Sequence, residues 1–193
     1  MIEPALPRDE PARICAGDPW HAHYERLAAM GAGDFMHVAG TLAPHLANTG
    51  TLLQQWGNRD ALCVAGLYHA VYGTDGIRGE LATLEQRSSI AEVIGVEAEA
   101  IVFVYAACDR DAFHPRIGTP RETQFVDRFT ATEYSIPVAM LADFCELTLA
   151  NELELARSSA AFLAKHRREL AALADRMRPH VSDAALHACR TML

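Results

Sequence analysis

The chain has 193 residues, half of them hydrophobic, and its formal net charge at pH 7 is −8. This length is enough for one domain with its own core, and the negative charge argues against binding to nucleic acid or to anionic membrane surfaces. The five cysteines are odd in number and include no C-x-x-C pair, so neither a disulfide framework nor a cysteine zinc site is indicated. Because the chain also lacks a secretory signal pattern and an apolar run long enough to cross a membrane, we expect a cytoplasmic protein.

The first part of the chain contains a proline-containing arm followed by two helices. Residues 1–19 carry four prolines among charged residues and are expected to form a flexible arm before a single domain of residues 20–193. An apolar stripe from Leu42 to Trp56 predicts an amphipathic helix that stops at the following Gly-Asn pair. Residues 60–72 are apolar on every face, which predicts a helix buried at the centre of a bundle.

The middle of the chain contains a glycine-rich loop, a short helix and a strongly apolar segment. The loop spans residues 73–79. Thr83 and Gln86 have the spacing of a capping box, which indicates the start of a helix. Residues 96–108 are apolar with two acids at the front, and this charge placement favours a helix. Their β-branched and aromatic residues leave a strand as the alternative.

The last part of the chain is irregular at first and then helical to its end. Residues 109–135 contain two prolines and a glycine and are expected to form an irregular, lid-like segment. Pro137 suits the first turn of a long helix over residues 138–155, and helical periodicity continues over residues 156–177. Ser182 begins a last short helix. The whole pattern predicts an all-α bundle of about seven helices.

Two of the nine histidines fall on helices that are predicted to be buried. His45 lies at the edge of the apolar stripe of its helix, and His69 lies near the end of the apolar helix that follows. The simpler interpretation of each is a core histidine whose ring nitrogens bond a carbonyl or an acid. His114 could enter a pocket from the lid-like segment or face solvent. The C-terminal histidines are expected to be exposed: His166, His180 and His187.

The order of these features resembles the HD-domain superfamily. In that superfamily a histidine is followed by an A-x-L-x-H-D motif and later by A-D, and together they form an H…HD…D metal set. The corresponding runs here are His45-Leu-Ala-Asn-Thr-Gly-Thr-Leu-Leu, Ala65-Gly-Leu-Tyr-His-Ala-Val-Tyr-Gly-Thr74 and Leu149-Ala-Asn-Glu-Leu153. The resemblance covers residues 37–157 and implies an HD-like helical fold.

Within the superfamily, the sequence is most similar to the hydrolase domain of the guanosine-tetraphosphate hydrolases. There the HD helix leads into an E-D-T turn, a short helix and a G-x-x-V-A-x-L-V helix. In this chain the corresponding segments are Tyr72-Gly-Thr74, residues 83–92 and the run Gly95-Val-Glu-Ala-Glu-Ala-Ile-Val102. The sequence is also similar to an uncharacterised bacterial branch of HD-like domains with a Tyr-Gly-Thr turn.

This sequence departs from the family pattern where the family has acids. Ala70 stands in place of the Asp of the HD pair, Tyr72-Gly73 in place of the E-D of the turn, and Asn151 in place of the distal Asp. A divalent cation held by hard ligands needs carboxylates. The resemblance therefore leaves only His45 and His69 as metal ligands. Fe, Mn or Zn would need a substitute ligand as well, and the candidates are Glu152, Asp143, Asp75, His37 and His114. An empty metal site is the alternative.

Further residues are candidates for holding a substrate. Arg78 of the glycine-rich loop and Arg110 carry guanidinium groups, which suit carboxylate or phosphate, although an ordinary turn and a surface salt-bridge network would also explain them. Tyr72 and Thr74 stand where the resembled hydrolases have acids and could orient a substrate through hydrogen bonds. Asn151 could contribute its amide.

These residues support an enzyme that acts on a small anionic metabolite. The reaction is expected to be either metal-assisted hydrolysis or metal-free acid–base chemistry by His45 or His69, with Tyr72 and Thr74 as orienting groups. The alternative is a non-catalytic, HD-like ligand-binding or regulatory protein that has lost the metal carboxylates. A third is a structural module that forms a homodimer through residues 138–177.

Overall fold

The computed structural model describes residues 20–34, 36–37, 40–75 and 79–193. The predicted arm of residues 1–19 and Arg78 of the glycine-rich loop lie outside the described residues. Within them, none of the helices is both long and apolar enough to cross a membrane.

The described residues are mostly helical, as the predicted all-α class requires. These described residues form nine helices, where about seven were predicted: α1 His21–Ala29, α2 Leu42–Gln55, α3 Asp60–Tyr68, α4 Arg87–Ile94, α5 Val96–Ala107, α6 Arg110–Phe113, α7 Val138–Ser158, α8 Ala160–Met177 and α9 Asp183–Met192. Short 3₁₀ turns cover Leu84–Gln86, His114–Arg116 and Arg178–His180. Two antiparallel strand pairs add little to the core: β1 Met36–His37 with β2 Gly40–Thr41, and β3 Gln124–Asp127 with β4 Thr132–Ser135.

Helix α7 is the centre of the bundle. It packs against α2, α3, α5, α8 and α9, and fourteen of its 21 residues are buried. Other helices of the same chain already cover this buried face of α7. A homodimer built on residues 138–177 could therefore not use it.

Helix α3 is buried as its composition predicts, but it is shorter than expected. It ends at Tyr68, and the chain turns over the next residues through a bond from Val71 N to the Tyr68 carbonyl. Gly73, at φ +71°, completes this change of direction, since few other residues adopt that conformation. The early end places His69 at the C-cap of α3 instead of within a helix.

Several helix boundaries agree with the capping signals in the sequence. The capping box of Thr83 and Gln86 is formed in both directions, and Ser182 caps α9 by accepting from Ala185 N. Residues 96–107 are helical, so the strand alternative is wrong. The long C-terminal pattern is two helices, because the Ser159 side chain caps a new helix by accepting from Phe162 N.

The segment 109–135 is more ordered than the sequence predicts. It contains α6, a 3₁₀ turn and the β3–β4 hairpin, in which Phe125 pairs with Tyr134. His180, which was expected to be exposed, is also buried: its side chain is 8% exposed and its Nε2 lies 2.9 Å from Glu122 Oε2. This ordered segment folds back on the end of α8, and its acid supplies the partner that lets the imidazole be buried.

Candidate functional site

Three of the predicted site residues converge at one buried point in the bundle. His45 projects from α2, His69 from the end of α3 and Asn151 from α7, and each is at most 5% exposed. Nε2 of His45 lies 3.2 Å from Nε2 of His69 and 3.0 Å from Oδ1 of Asn151. Residues from two other parts of the chain, the end of α3 and α7, therefore place polar atoms against the imidazole of His45.

The other nitrogen of His45 is bound by a carboxylate. Its Nδ1 donates to Oε2 of Glu154, and the second oxygen of Glu154 accepts from Asn48 Nδ2 at 3.1 Å and from the Ser158 hydroxyl at 2.7 Å. Burial acts to raise the pKa of Glu154, but the hydrogen bond and charge of His45 lower it below its ordinary value. Glu154 is therefore held as a carboxylate and orients the ring of His45.

His69 is fixed in a single orientation by its own backbone and by an aromatic neighbour. Its Nδ1 donates to the carbonyl of Gly66 at 2.7 Å, and its ring meets the Tyr105 ring edge to face, with the centroids 5.5 Å apart. A carbonyl can only accept, so the proton of a neutral His69 lies on Nδ1 and its Nε2 presents a lone pair.

The two nitrogens of His45 face different kinds of partner. Asn151 Nδ2 donates to Glu152 Oε1 at 3.2 Å, so its Oδ1 is the atom that faces His45. Nε2 of His45 is thus faced by two acceptors, the lone pair of His69 and the amide oxygen, while Nδ1 is faced by a carboxylate. This arrangement is satisfied when His45 carries a proton on both nitrogens.

A guanidinium lies beside this group. Arg110 Nη2 donates to the Tyr105 hydroxyl at 3.0 Å, and its Nη1 lies 3.6 Å from Glu152 Oε1. Burial raises the pKa of Glu152, and the charge of Arg110 and the bond from Asn151 only partly oppose that rise. Arg110 is therefore linked to His69 through the Tyr105 ring and to Asn151 through Glu152.

Tyr72 and Thr74, predicted to orient a substrate, have no described hydrogen bond to the two histidines. Tyr72 donates to Glu99 Oε1 at 3.1 Å, and Arg87 binds both oxygens of the same carboxylate. Burial, together with the charge of Glu99, raises the pKa of the Tyr72 hydroxyl. Thr74 is 4% exposed. Tyr72 therefore belongs to a separate polar cluster with Arg87 and Glu99.

The HD resemblance implies a divalent metal at the point where the histidines meet, so the donors there test whether one fits. Two imidazole nitrogens and one amide oxygen converge, and none of them brings the negative charge that hard cations such as Mn²⁺ need. Two imidazoles also fall short of the three or four histidine, cysteine or carboxylate ligands of a zinc site. Within the described ranges, no group of three or more His, Cys, Asp or Glu side chains could hold a metal ion. Glu152 contacts Arg110 and Asn151 instead. The donors present therefore do not fit the Fe, Mn or Zn that the resemblance implies.

Sequence reasoning missed Glu154, whose carboxylate contacts His45. The acid of this helix that was considered as a metal ligand is Glu152. Residues three apart share a helix face, whereas adjacent residues diverge. The spacing from Asn151 to Glu154 was therefore the available signal, and Ser158, one further turn along, completes the same face.

Comparison with known proteins matches part of the chain to a family model. Residues 26–110 match a family described as a domain of unknown function, DUF6817. The search of curated proteins and the search of solved structures both return no match. The matched segment includes both histidines and ends at Arg110, before the α7 groups that face them.

Proposed function

We propose that the chain is a small-molecule enzyme on an HD-like helical scaffold that acts on an anionic metabolite by acid–base chemistry at His45. The observation that supports it is the position of His45, between the carboxylate of Glu154 on one side and two acceptors on the other. The order of His45, His69 and Asn151 along the chain also matches the order of the metal set in the resembled family.

The proposed chemistry begins with His45 as a general acid. A substrate oxygen that replaces Asn151 Oδ1 or His69 Nε2 as the acceptor meets the proton on Nε2 of His45. Glu154 stabilises the charged ring and keeps its orientation, which is the role of a buried carboxylate behind a catalytic imidazole. Once the proton has been transferred, the lone pair of neutral His45 can take a proton back from substrate or water.

His69 completes the proposed acid–base pair. Its Nε2 lies within hydrogen-bonding distance of the corresponding nitrogen of His45, so one proton can pass between the two rings. The bond from His69 to Gly66 keeps that lone pair directed at His45. We therefore expect loss of either ring to slow the same proton-transfer step.

The proposal is tested by turnover of small anionic compounds. Wild-type protein is incubated with pools of phosphate monoesters and of hydroxy- and keto-carboxylates, and conversion is followed by NMR. His45→Gln is expected to slow conversion at least about a hundredfold, the usual contribution of a general acid or base. Glu154→Gln keeps the shape but removes the charge and is expected to slow it at least about tenfold.

A second histidine–glutamate pair provides the matched control. His166 and Glu169 contact each other at 3.1 Å on the exposed face of α8, so His166→Gln and Glu169→Gln should keep wild-type turnover. Circular dichroism and melting temperature show whether each variant folds. Binding of a compound without conversion would contradict the enzyme proposal and support the non-catalytic alternative.

Elemental analysis tests the metal-free part of the proposal. We expect less than stoichiometric Fe, Mn or Zn in the purified protein, and turnover that a chelator does not change. A stoichiometric metal that is lost in both His45→Gln and His69→Gln would contradict this chemistry and favour metal-assisted hydrolysis.

A further inference from the structure

Two buried nitrogen atoms, one in the turn after α6 and one on α8, have no hydrogen-bond partner in the described part of the chain. They are Nε2 of His114 and Nε of Arg176. Buried polar atoms in folded proteins are nearly always paired with protein, water or a bound ion. Two such atoms in one region therefore indicate a group that the polypeptide itself does not supply.

The two atoms lie in one electrostatic environment. His114 follows Arg110 by one turn, and the charges of Arg110 and Arg176 both act on its ring. Burial, followed by these two charges, lowers the pKa of His114 to about 4. The imidazole is therefore neutral near pH 7, and its Nε2 is free to carry the single ring proton as a donor.

The acids near this cluster do not neutralise Arg176. Asp75 acts on His114 and uses Oδ2 to accept from the backbone N–H of Arg110. Glu152 lies 3.6 Å from Arg110 Nη1, which is longer than a hydrogen bond. Arg176 makes no ion pair with any described residue. A chain with net charge −8 thus keeps one buried guanidinium nitrogen without a carboxylate.

Packing holds these groups in place. Gly118, at φ +77°, lies against the backbone of Arg176, and a Cβ added there would meet the Arg176 carbonyl at 3.2 Å. The His114 ring packs edge to face on Phe144 of α7, with centroids 6.0 Å apart. The segment that follows α6 is therefore packed against α8 at Gly118 and against α7 at His114.

We propose that Arg110, His114 and Arg176 form a subsite for a small oxyanion, a phosphate or carboxylate group. Arg110 links this subsite to His69 and Asn151. The further statement that the subsite holds the anionic group of the metabolite rests on the proposed function. The donors would be the guanidinium N–H groups of both arginines and Nε2–H of His114. Charged N–H groups suit such oxygens in number and geometry.

The melting temperature measured with inorganic phosphate tests the subsite without a known substrate. Phosphate at ten times its Kd is expected to raise the melting temperature of wild-type protein by about 3–6 °C over chloride at equal ionic strength. Acetate is the parallel arm, and the anion that gives the larger rise identifies the class. No rise with either anion would overturn the proposal.

Variants then locate the effect. Arg176→Gln should abolish the rise in melting temperature. His114→Leu should weaken the affinity for phosphate at least about tenfold, while the leucine side chain still packs on Phe144. If Arg176→Gln does not fold, His114→Leu decides. The matched control is Arg178→Gln, because Arg178 lies two residues on and already pairs with Asp175 at 2.6 Å. A rise that Arg176→Gln or His114→Leu leaves unchanged would overturn the proposal.

His45→Gln separates this proposal from the proposed function. It should slow turnover at least about a hundredfold and keep the phosphate-dependent rise, because it removes no group of the subsite. If wild-type protein converts no compound but shows the rise and loses it in Arg176→Gln, the subsite stands and the enzyme proposal fails. If the protein converts a compound but neither anion raises its melting temperature, the proposed function stands and the subsite proposal fails.

Discussion

Two histidines, the buried His45 and the partly buried His114, stand in opposite electrostatic surroundings. The carboxylate of Glu154 faces His45, whereas the charges of two arginines act on His114. An adjacent anion stabilises a charged imidazole, and adjacent cations destabilise it. We therefore expect the same residue type to serve as a proton carrier at one position and as a neutral donor at the other.

Replacement of His114 by leucine should make stability less sensitive to acid. The unfolded chain binds a proton at this residue below pH 6.5, whereas the folded chain does so only below about 4. Wild-type stability therefore falls as the pH decreases through that interval, by about 3 kcal/mol for a shift of this size. Urea unfolding of wild type and His114→Leu at pH 7, 5.5 and 4.5 measures the difference. Parallel curves for the two proteins would show that His114 titrates normally.

At the scale of elements, helices α2 and α3 approach each other through two glycines. A Cβ on Gly66 would lie 3.0 Å from Gly50 Cα and 2.7 Å from Leu53 Cδ1. The contact matters for the site because α2 carries His45 and because the Gly66 carbonyl accepts from His69. The separation of the two imidazoles is therefore set by how closely these backbones pack.

Gly66→Ala should destabilise the protein and push the two histidines apart. Alanine is favoured over glycine in a helix by about 1 kcal/mol, but overpacking a tight contact costs about 1–3 kcal/mol. Because the Gly50 backbone cannot move aside as a flexible side chain can, we expect a net loss of about 1–2 kcal/mol in urea unfolding. Turnover should fall as well.

The control variant is Gly33→Ala, where a Cβ would meet nothing within 4 Å. It should change stability by less than about 0.5 kcal/mol. Equal stabilities of the two variants would contradict the close-packing argument.

The helices were predictable because their ends carry local signals, such as the capping box at Thr83 and the serine that caps α9. The β3–β4 hairpin was not. Each of its strands has four residues, and every residue of β4 is exposed, so the pattern shows no alternation between apolar and polar faces. Its pairing depends on contacts with the bundle, such as the bridge between Cys108 and Asp127.

The site was predictable only in part, for a similar reason. The order of His45, His69 and Asn151 along the chain comes from motif spacing, and the structure brings these side chains together. Glu154 and Arg176 carry no motif. Their positions follow from the face that α7 turns to α2 and from the way α8 packs near His114, which are tertiary properties.

At the scale of the whole molecule, carboxylates on α7 connect the central helix to its neighbours. Asp143 forms a two-bond ion pair with Arg59, just before α3, at 2.6 and 2.7 Å. Glu146 accepts from Asn58 and from Ser182, the cap of α9. With Glu154 bound to His45 of α2, three acids along one helix fix the positions of three others. A molecule with an acidic surplus thus keeps part of that charge inside, where each carboxylate is paired.

Native-state hydrogen exchange should reflect this organisation, with α7 among the slowest segments and the first half of α8 among the fastest. Fourteen of the 21 residues of α7 are buried, against four of the 18 of α8. The buried residues of α8 all lie in its second half, from Leu170 onward. Because exchange from a poorly buried helix needs only local opening, residues 160–169 should exchange well before α7, whose amides require global unfolding. Mass spectrometry of peptic fragments resolves the two. Equal protection of both helices would mean that α8 unfolds together with the core, and the proposed oxyanion subsite would then be as rigid as the histidine pair.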